Sequence, residues 1–112
     1  MSTTPTKMRC SHILFSWHGA KNSTHTREIA FALHDAKIIL ADILKGTITW
    51  NVAVREHSAC MQTGFETGDL GWFEQHQILP EIWNTCLLLE VGQVFPEPIT
   101  SDYGLHLIFR TG

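Results

Sequence analysis

Two strand-like runs stand near opposite ends of this chain, and any compact fold must account for both. Residues 8–16 (MRCSHILFS) and 105–110 (LHLIFR) are apolar or β-branched at most positions. Side chains alternate along a strand, so Ile13 and Phe15 share one face while Cys10, His12 and Leu14 share the other. Both faces are largely apolar, which predicts a central strand covered on both sides. The segments between are mainly helical in pattern. Strands at the ends with helices between predict an α+β sheet fold.

The helical middle reads as three segments. Across residues 26–45, Ile29, Leu33, Ala36, Leu40 and Ile43 recur at steps of three and four, which predicts one buried helical face. Thr24 or Thr26 is placed to cap its start, and Gly46 to end it. Thr47 is placed to cap a shorter helix running to about residue 56, with Trp50 and Val54 inward, although β-branched residues weaken that pattern. Residues 57–67 read as a loop. Pro80 suits the first turn of a third helix reaching about residue 88. Beyond it, residues 94–99 read as extended. Pro96 and Pro98 donate no ladder hydrogen bond, which favours a sheet edge. Residues 101–104 read as the turn before the last strand.

With 112 residues the chain has the size of one domain, and no internal repeat or low-complexity segment divides it. Residues 1–7 read as a loose tail and residues 8–112 as the domain. A net charge of −3 argues against a nucleic-acid partner, which is usually met by a basic patch. No apolar run approaches the roughly 20 residues of a membrane helix, and the first residues lack a signal-peptide pattern. The three cysteines, Cys10, Cys60 and Cys86, are widely spaced with no CxxC pair. That spacing points to neither a metal site nor a disulfide framework, and suits a reducing compartment, the cytosol or nucleus.

The middle of the chain carries Gly68-Asp69-Leu70-Gly71-Trp72-Phe73. By itself this reads as a turn entering a short strand. The Asp69 carboxylate is placed to accept backbone N–H groups of the turn, and the two aromatics carry surface for a core or pocket. It stands in order with Arg9-Cys10-Ser11-His12-Ile13-Leu14-Phe15, His57-Ser58-Ala59-Cys60, Ile78-Leu79-Pro80-Glu81-Ile82 and Ser101-Asp102-Tyr103-Gly104-Leu105-His106. Each motif is short, but the ordered set resembles the parvulin family of peptidyl-prolyl cis/trans isomerases over residues 9–111. The resemblance implies a four-stranded antiparallel sheet surrounded by about four helices, one of them often a single turn. It also implies rotamase activity on proline-containing peptides, assisting folding or conformational switching, with no cofactor and a monomeric chain.

The resemblance further implies a polar centre of His12, Cys60, Ser101 and His106, and a slot for the proline ring built from Leu70, Ile78 and Ile82. The family often has Met and Phe at the last two slot positions, so two isoleucines leave the slot without an aromatic wall. Some members carry Asp in place of Cys60, which favours a non-covalent role for that side chain. Ser101 stands where Thr is common and keeps the hydroxyl. Residue types alone leave open a structural role for the histidine pair, and plain core packing for the slot residues.

Phosphate-directed members of the family carry Lys and Arg after the first strand, and Arg clusters suit phosphate. Here Ser16 stands where that branch has Lys, and Lys21 is the candidate contact for a phosphate or acidic residue. Strict dependence on phospho-Ser/Thr-Pro is therefore not expected. The alternative from another class is a parvulin-like peptide-binding or chaperone module with little catalysis.

Overall fold

A computed structural model describes residues 5–20, 28–59 and 68–112. Along the chain stand β1 (Met8–Phe15), α1 (Ile29–Lys45), α2 (Trp50–His57), β2 (Asp69–Phe73), a 3-10 turn (Gln75–Gln77), α3 (Pro80–Leu87), β3 (Ile99–Ser101) and β4 (Gly104–Arg110). The strands form one antiparallel sheet in the order β2-β1-β4-β3. The first and last strands pair at its centre, from Cys10 opposite Arg110 to Phe15 opposite Leu105. Among the described residues, no helix is long and apolar enough to cross a membrane.

Strand alternation distributes the core over both faces of the sheet. Ile13, Phe15, Leu105 and Leu107 pack with Ala32, Ala36 and Leu40 of α1 and Ala53 and Val54 of α2. Met8, Cys10 and Ile108, on the other face, pack with Phe73, Ile82, Trp83, Cys86 and Leu89. Each fully buried aliphatic side chain contributes roughly 1.5–3 kcal/mol relative to exposure. Half-buried Trp17 packs against the first of these clusters.

Several local expectations are corrected. Helix α1 begins at Ile29, with Glu28 at its N-cap and no side-chain cap, and Ile29 is 56% exposed rather than buried. Ala32 takes the inward place, since the face that meets the sheet runs through Ala32, Ala36 and Leu40. Thr24 and Thr26 lie outside the described residues. Gly46 ends the helix as expected, in the left-handed conformation, with its N–H on the carbonyls of Asp42 and Ile43. The cap of α2 is Thr49, not Thr47: its hydroxyl accepts from the Val52 N–H at 3.3 Å. The extended segment after α3 touches the sheet at Val94, opposite Phe109, and joins it as a strand only from Ile99, once both prolines are passed. The last turn is tighter than expected, since Ser101 still pairs with Gly104 and only Asp102 and Tyr103 lie outside the ladder.

The Gly-Asp-Leu-Gly stretch is a bulged edge strand rather than a turn before a strand. Asp69 faces Ser11 and Trp72 faces Arg9, so Leu70 and Gly71 together oppose the single residue Cys10. Asp69 holds the bulge: one carboxylate oxygen accepts the Gly71 N–H at 2.8 Å, and the carboxylate pairs with the Arg9 guanidinium. Arg9 keeps the Asp69 carboxyl below the ordinary range, with the Gly71 N–H acting in the same direction. Phe73 enters the core at 3% exposure, whereas Trp72 remains 60% exposed. Gly68 precedes the bulge at φ 70°, and a Cβ there would overlap the carbonyl oxygen of His12, so the close approach of the two chains requires glycine.

Candidate functional site

His12 on β1 and His106 on β4 are diagonal neighbours on the α3 face of the sheet. His12 stands opposite Ile108 and Leu14 opposite His106. The two rings stack with centroids 5.2 Å apart and planes inclined by 17°, and their Nδ1 atoms are 3.0 Å apart. Exposures of 5% and 1% remove both from water. Burial pushes His12 down to about 4. Burial, then the neighbouring His12, pushes His106 down to about 3. Both rings are therefore neutral at pH 7.

A neutral imidazole has one N–H and one bare nitrogen, so two Nδ1 atoms in contact must be one donor and one acceptor. A third polar group joins the pair. Ser101, at the end of β3, lies with its Oγ 2.6 Å from Nε2 of His106. The Ser101 oxygen also accepts the Tyr103 N–H at 3.2 Å. A hydroxyl oxygen has two lone pairs, so Ser101 is able either to donate to His106 Nε2 or to accept from it. The two contacts are linked: where Ser101 donates, the His106 proton is on Nδ1 and the His12 proton on Nε2, and where Ser101 accepts, the order is reversed.

Beside this polar cluster the same face is apolar. Leu70 and Ile78 are half-buried and pack against the cluster that contains Ile82. Ile82 itself is only 2% exposed and forms part of the core beneath them. The bulge in β2 places Leu70 on the Cys10 side, which is the histidine side. Phe73 and Trp83 back this region edge to face, with centroids 6.1 Å apart. The fold therefore brings together His12, His106, Ser101, Leu70, Ile78 and Ile82 on one face. Only Leu70 and Ile78 of the apolar three keep part of their surface open.

Cys60 and Lys21 lie outside the described residues. The chain just before Cys60 is fixed: the Ala59 N–H donates to Leu14 O at 2.7 Å, and Ser58 Oγ accepts the Leu14 N–H at 3.1 Å. Gly68 O accepts the His12 N–H at 2.9 Å. Ser58 and Gly68 thus complete the hydrogen bonding of the strand that carries His12. Sequence reasoning gave no role to Ser58, nor to Ser16, whose Oγ donates to Tyr103 O at 3.1 Å. Serine is common in loops, and only a tertiary partner distinguishes these two.

The family model described as the rotamase, PPIC-type PPIase domain matches residues 12–112. The peptidyl-prolyl cis-trans isomerase pin1 of Rhizopus delemar is 31% identical over 111 residues, covering 94% of this chain and 73% of that protein. The peptidyl-prolyl cis-trans isomerase ESS1 of Saccharomyces cerevisiae is 28% identical over 116 residues, covering 96% and 67%. The solved peptidyl-prolyl isomerase ESS1 from Candida albicans superposes with a TM-score of 0.86 at 26% identity, covering 96% of this chain and 63% of that one.

Proposed function

The chain belongs to the parvulin, or PPIC-type, family of peptidyl-prolyl cis/trans isomerases, and on that premise we propose that the face bearing His12, His106 and Ser101 is where it accelerates rotation about X-Pro bonds. Rotation must cross a barrier of roughly 20 kcal/mol set by amide conjugation, and no bond breaks. Twisting the amide localises the nitrogen lone pair and alters the charge on the carbonyl. Groups that bind this twisted form better than either planar form lower the barrier. In this reading Leu70 and Ile78 hold the proline ring over Ile82. His12 lies beside the substrate, and His106 and Ser101 hold its ring in orientation. Cys60 acts without forming a covalent bond. Near-normal turnover in Cys60→Ser and Cys60→Asp supports that role, and loss in both overturns it.

The observation that carries the reading is the pair of neutral histidines in contact at 3.0 Å, beside half-exposed Leu70 and Ile78 on the same face. The substrates are exposed X-Pro segments of polypeptides, without strict dependence on phosphate before proline. Ser16 supports this, because it is 2% exposed and its hydroxyl is engaged by a backbone carbonyl. Lys21 is left as the contact for an acidic residue. The protein acts as a monomer in the cytoplasm or nucleus, with neither nucleic acid nor membrane as partner. Buried free thiols at Cys10 and Cys86 accord with that setting.

NMR exchange spectroscopy on three peptides that differ only before proline (phospho-Ser, Glu, Leu) tests the function. Acceleration of all three is expected. Acceleration of phospho-Ser alone overturns the substrate assignment. Binding shifts without faster exchange overturn the catalytic one.

A further inference from the structure

Arg9 reaches across the bulge of β2 on the face of the sheet opposite the histidines. It stands directly across from Trp72, on one side of the extra residue, yet its guanidinium binds Asp69, on the other side. Its Nε donates to Asp69 Oδ1 at 3.1 Å, and its Nη2 donates to Oδ2. The same Oδ1 accepts the Gly71 N–H at 2.8 Å. Leu70 is thereby enclosed: its peptide link to Gly71 is tied to the Asp69 side chain, and that side chain is tied to β1. We propose that Arg9 and Asp69 are positioning residues for substrate binding, a clamp behind the sheet that holds Leu70 in place on the other face. The proposal rests on the reading of Leu70 as a wall of the proline slot.

Two anchors flank the bulge. The His12 N–H donates to Gly68 O at 2.9 Å, and Phe73 sits in the core opposite Met8. Between these anchors residues 69–72 of β2 face residues 9–11 of β1, so one extra residue is forced, but its place along the strand is not. With the extra residue one step earlier, Leu70 would share Ser11 with Asp69, and Gly71 would face Cys10 alone. Leu70 would then turn to the Ser11 face, away from the histidines. Two features select the observed place: Gly71 takes the left-handed backbone, at φ 73°, and its N–H is held by Asp69. Packing around them is thin. A Cβ on Gly71 would meet nothing within 4 Å, and a cavity of about 230 Å³ lies behind the strands, between Arg9, Ser11 and Asp69 on one side and Trp50 of α2 on the other. The Asp69 carboxylate keeps the Gly71 N–H while its plane is fixed, and the two-pronged contact with Arg9 fixes that plane.

The test reads kcat and KM separately on a Leu-Pro peptide, beside amide hydrogen exchange at Gly71, in the full chain. The Arg9 side chain is 43% exposed, so its replacement leaves the core intact. Arg9→Gln and Asp69→Asn are expected to raise KM about two- to five-fold, the range open to a partly exposed ion pair, with kcat unchanged. Asp69→Ala, which also loses the Gly71 bond, should raise KM further. Gly71 exchange should quicken in all three. Arg9→Lys, a cation without the fork, should restore only part of the effect. In a Leu70→Ala background, Arg9→Gln should add nothing to KM, because the clamp acts through that side chain. Unchanged KM with unchanged Gly71 exchange overturns the proposal. So does a full further rise of KM on top of Leu70→Ala, or a loss of kcat at constant KM. Faster Gly71 exchange at unchanged KM and kcat upholds the clamp and overturns the reading of Leu70 as a slot wall instead.

Discussion

The Nδ1 atoms of His12 and His106 face each other at 3.0 Å, one from each central strand of the sheet. Both groups are withdrawn from water, so the first proton puts an unpaired charge into a buried site and the second sets two N–H groups against each other. Acid therefore tests the site before it tests the rest of the molecule.

Stability should fall as pH drops below about 6.5, the ordinary histidine value. Folded-state values of about 4 for His12 and about 3 for His106 mean that the unfolded chain binds the protons first. The contribution is fully present above pH 6.5 and is lost progressively down to about pH 3–4. Within that window each histidine adds a slope of up to about 1.4 kcal/mol per pH unit. Urea unfolding at pH 7, 6, 5 and 4 reads the slope, and His106→Gln should make it shallower. An unchanged slope in that variant would refute the assignment.

Removing one ring should cost more than one hydrogen bond. His106→Leu takes one partner from the Ser101 hydroxyl, which keeps the Tyr103 N–H, and takes the Nδ1 contact from His12, whose buried ring nitrogen then costs about 1–3 kcal/mol. Unfolding midpoints should drop accordingly, and exchange on an X-Pro peptide should slow at least ten-fold in the fraction that remains folded.

The apolar residues should separate stability from binding. Ile82→Ala opens a cavity in the core and is expected to cost about 2–5 kcal/mol. Leu70→Ala, at a half-buried edge position, should cost less than half as much while raising KM for peptide several-fold. Denaturation curves beside kcat and KM check both; equal stability losses would argue against an open slot at Leu70.

Two glycines with similar dihedrals should respond differently to alanine. Gly46 has φ 79° with open space around it, so Gly46→Ala meets only backbone strain, about 1 kcal/mol. Gly68 has φ 70° and lies against His12 O and the Val54 side chain, so Gly68→Ala must also move the strand that carries His12. Its loss of stability should be at least twice that of Gly46→Ala, with activity falling as well.

Much of the architecture was legible from local pattern. Strand alternation in residues 8–16 separated Ile13 and Phe15 from Cys10 and His12, and the two packed faces of the sheet follow that division. Gly46 and Pro80 marked helix boundaries because their backbone chemistry leaves few alternatives. Pattern failed where two registers were equally good. Ile29 fits the apolar step of α1, yet it lies beyond the reach of the sheet, and Ala32 does the packing. Thr47 and Thr49 are chemically equivalent caps, and only the path from Gly46 into α2 selects Thr49.

The sequence by itself determined the family, the two-faced central strand and the residue types available to the site, because these depend on local periodicity and on ordered motifs. Tertiary structure alone decided how those residues meet. The bulge at Leu70 and Gly71, the 3.0 Å contact of two histidines from strands at opposite ends of the chain, and the engagement of Ser16 with Tyr103 all depend on register between distant segments. Register is set by the fit of whole faces against one another, which no short stretch of residues encodes.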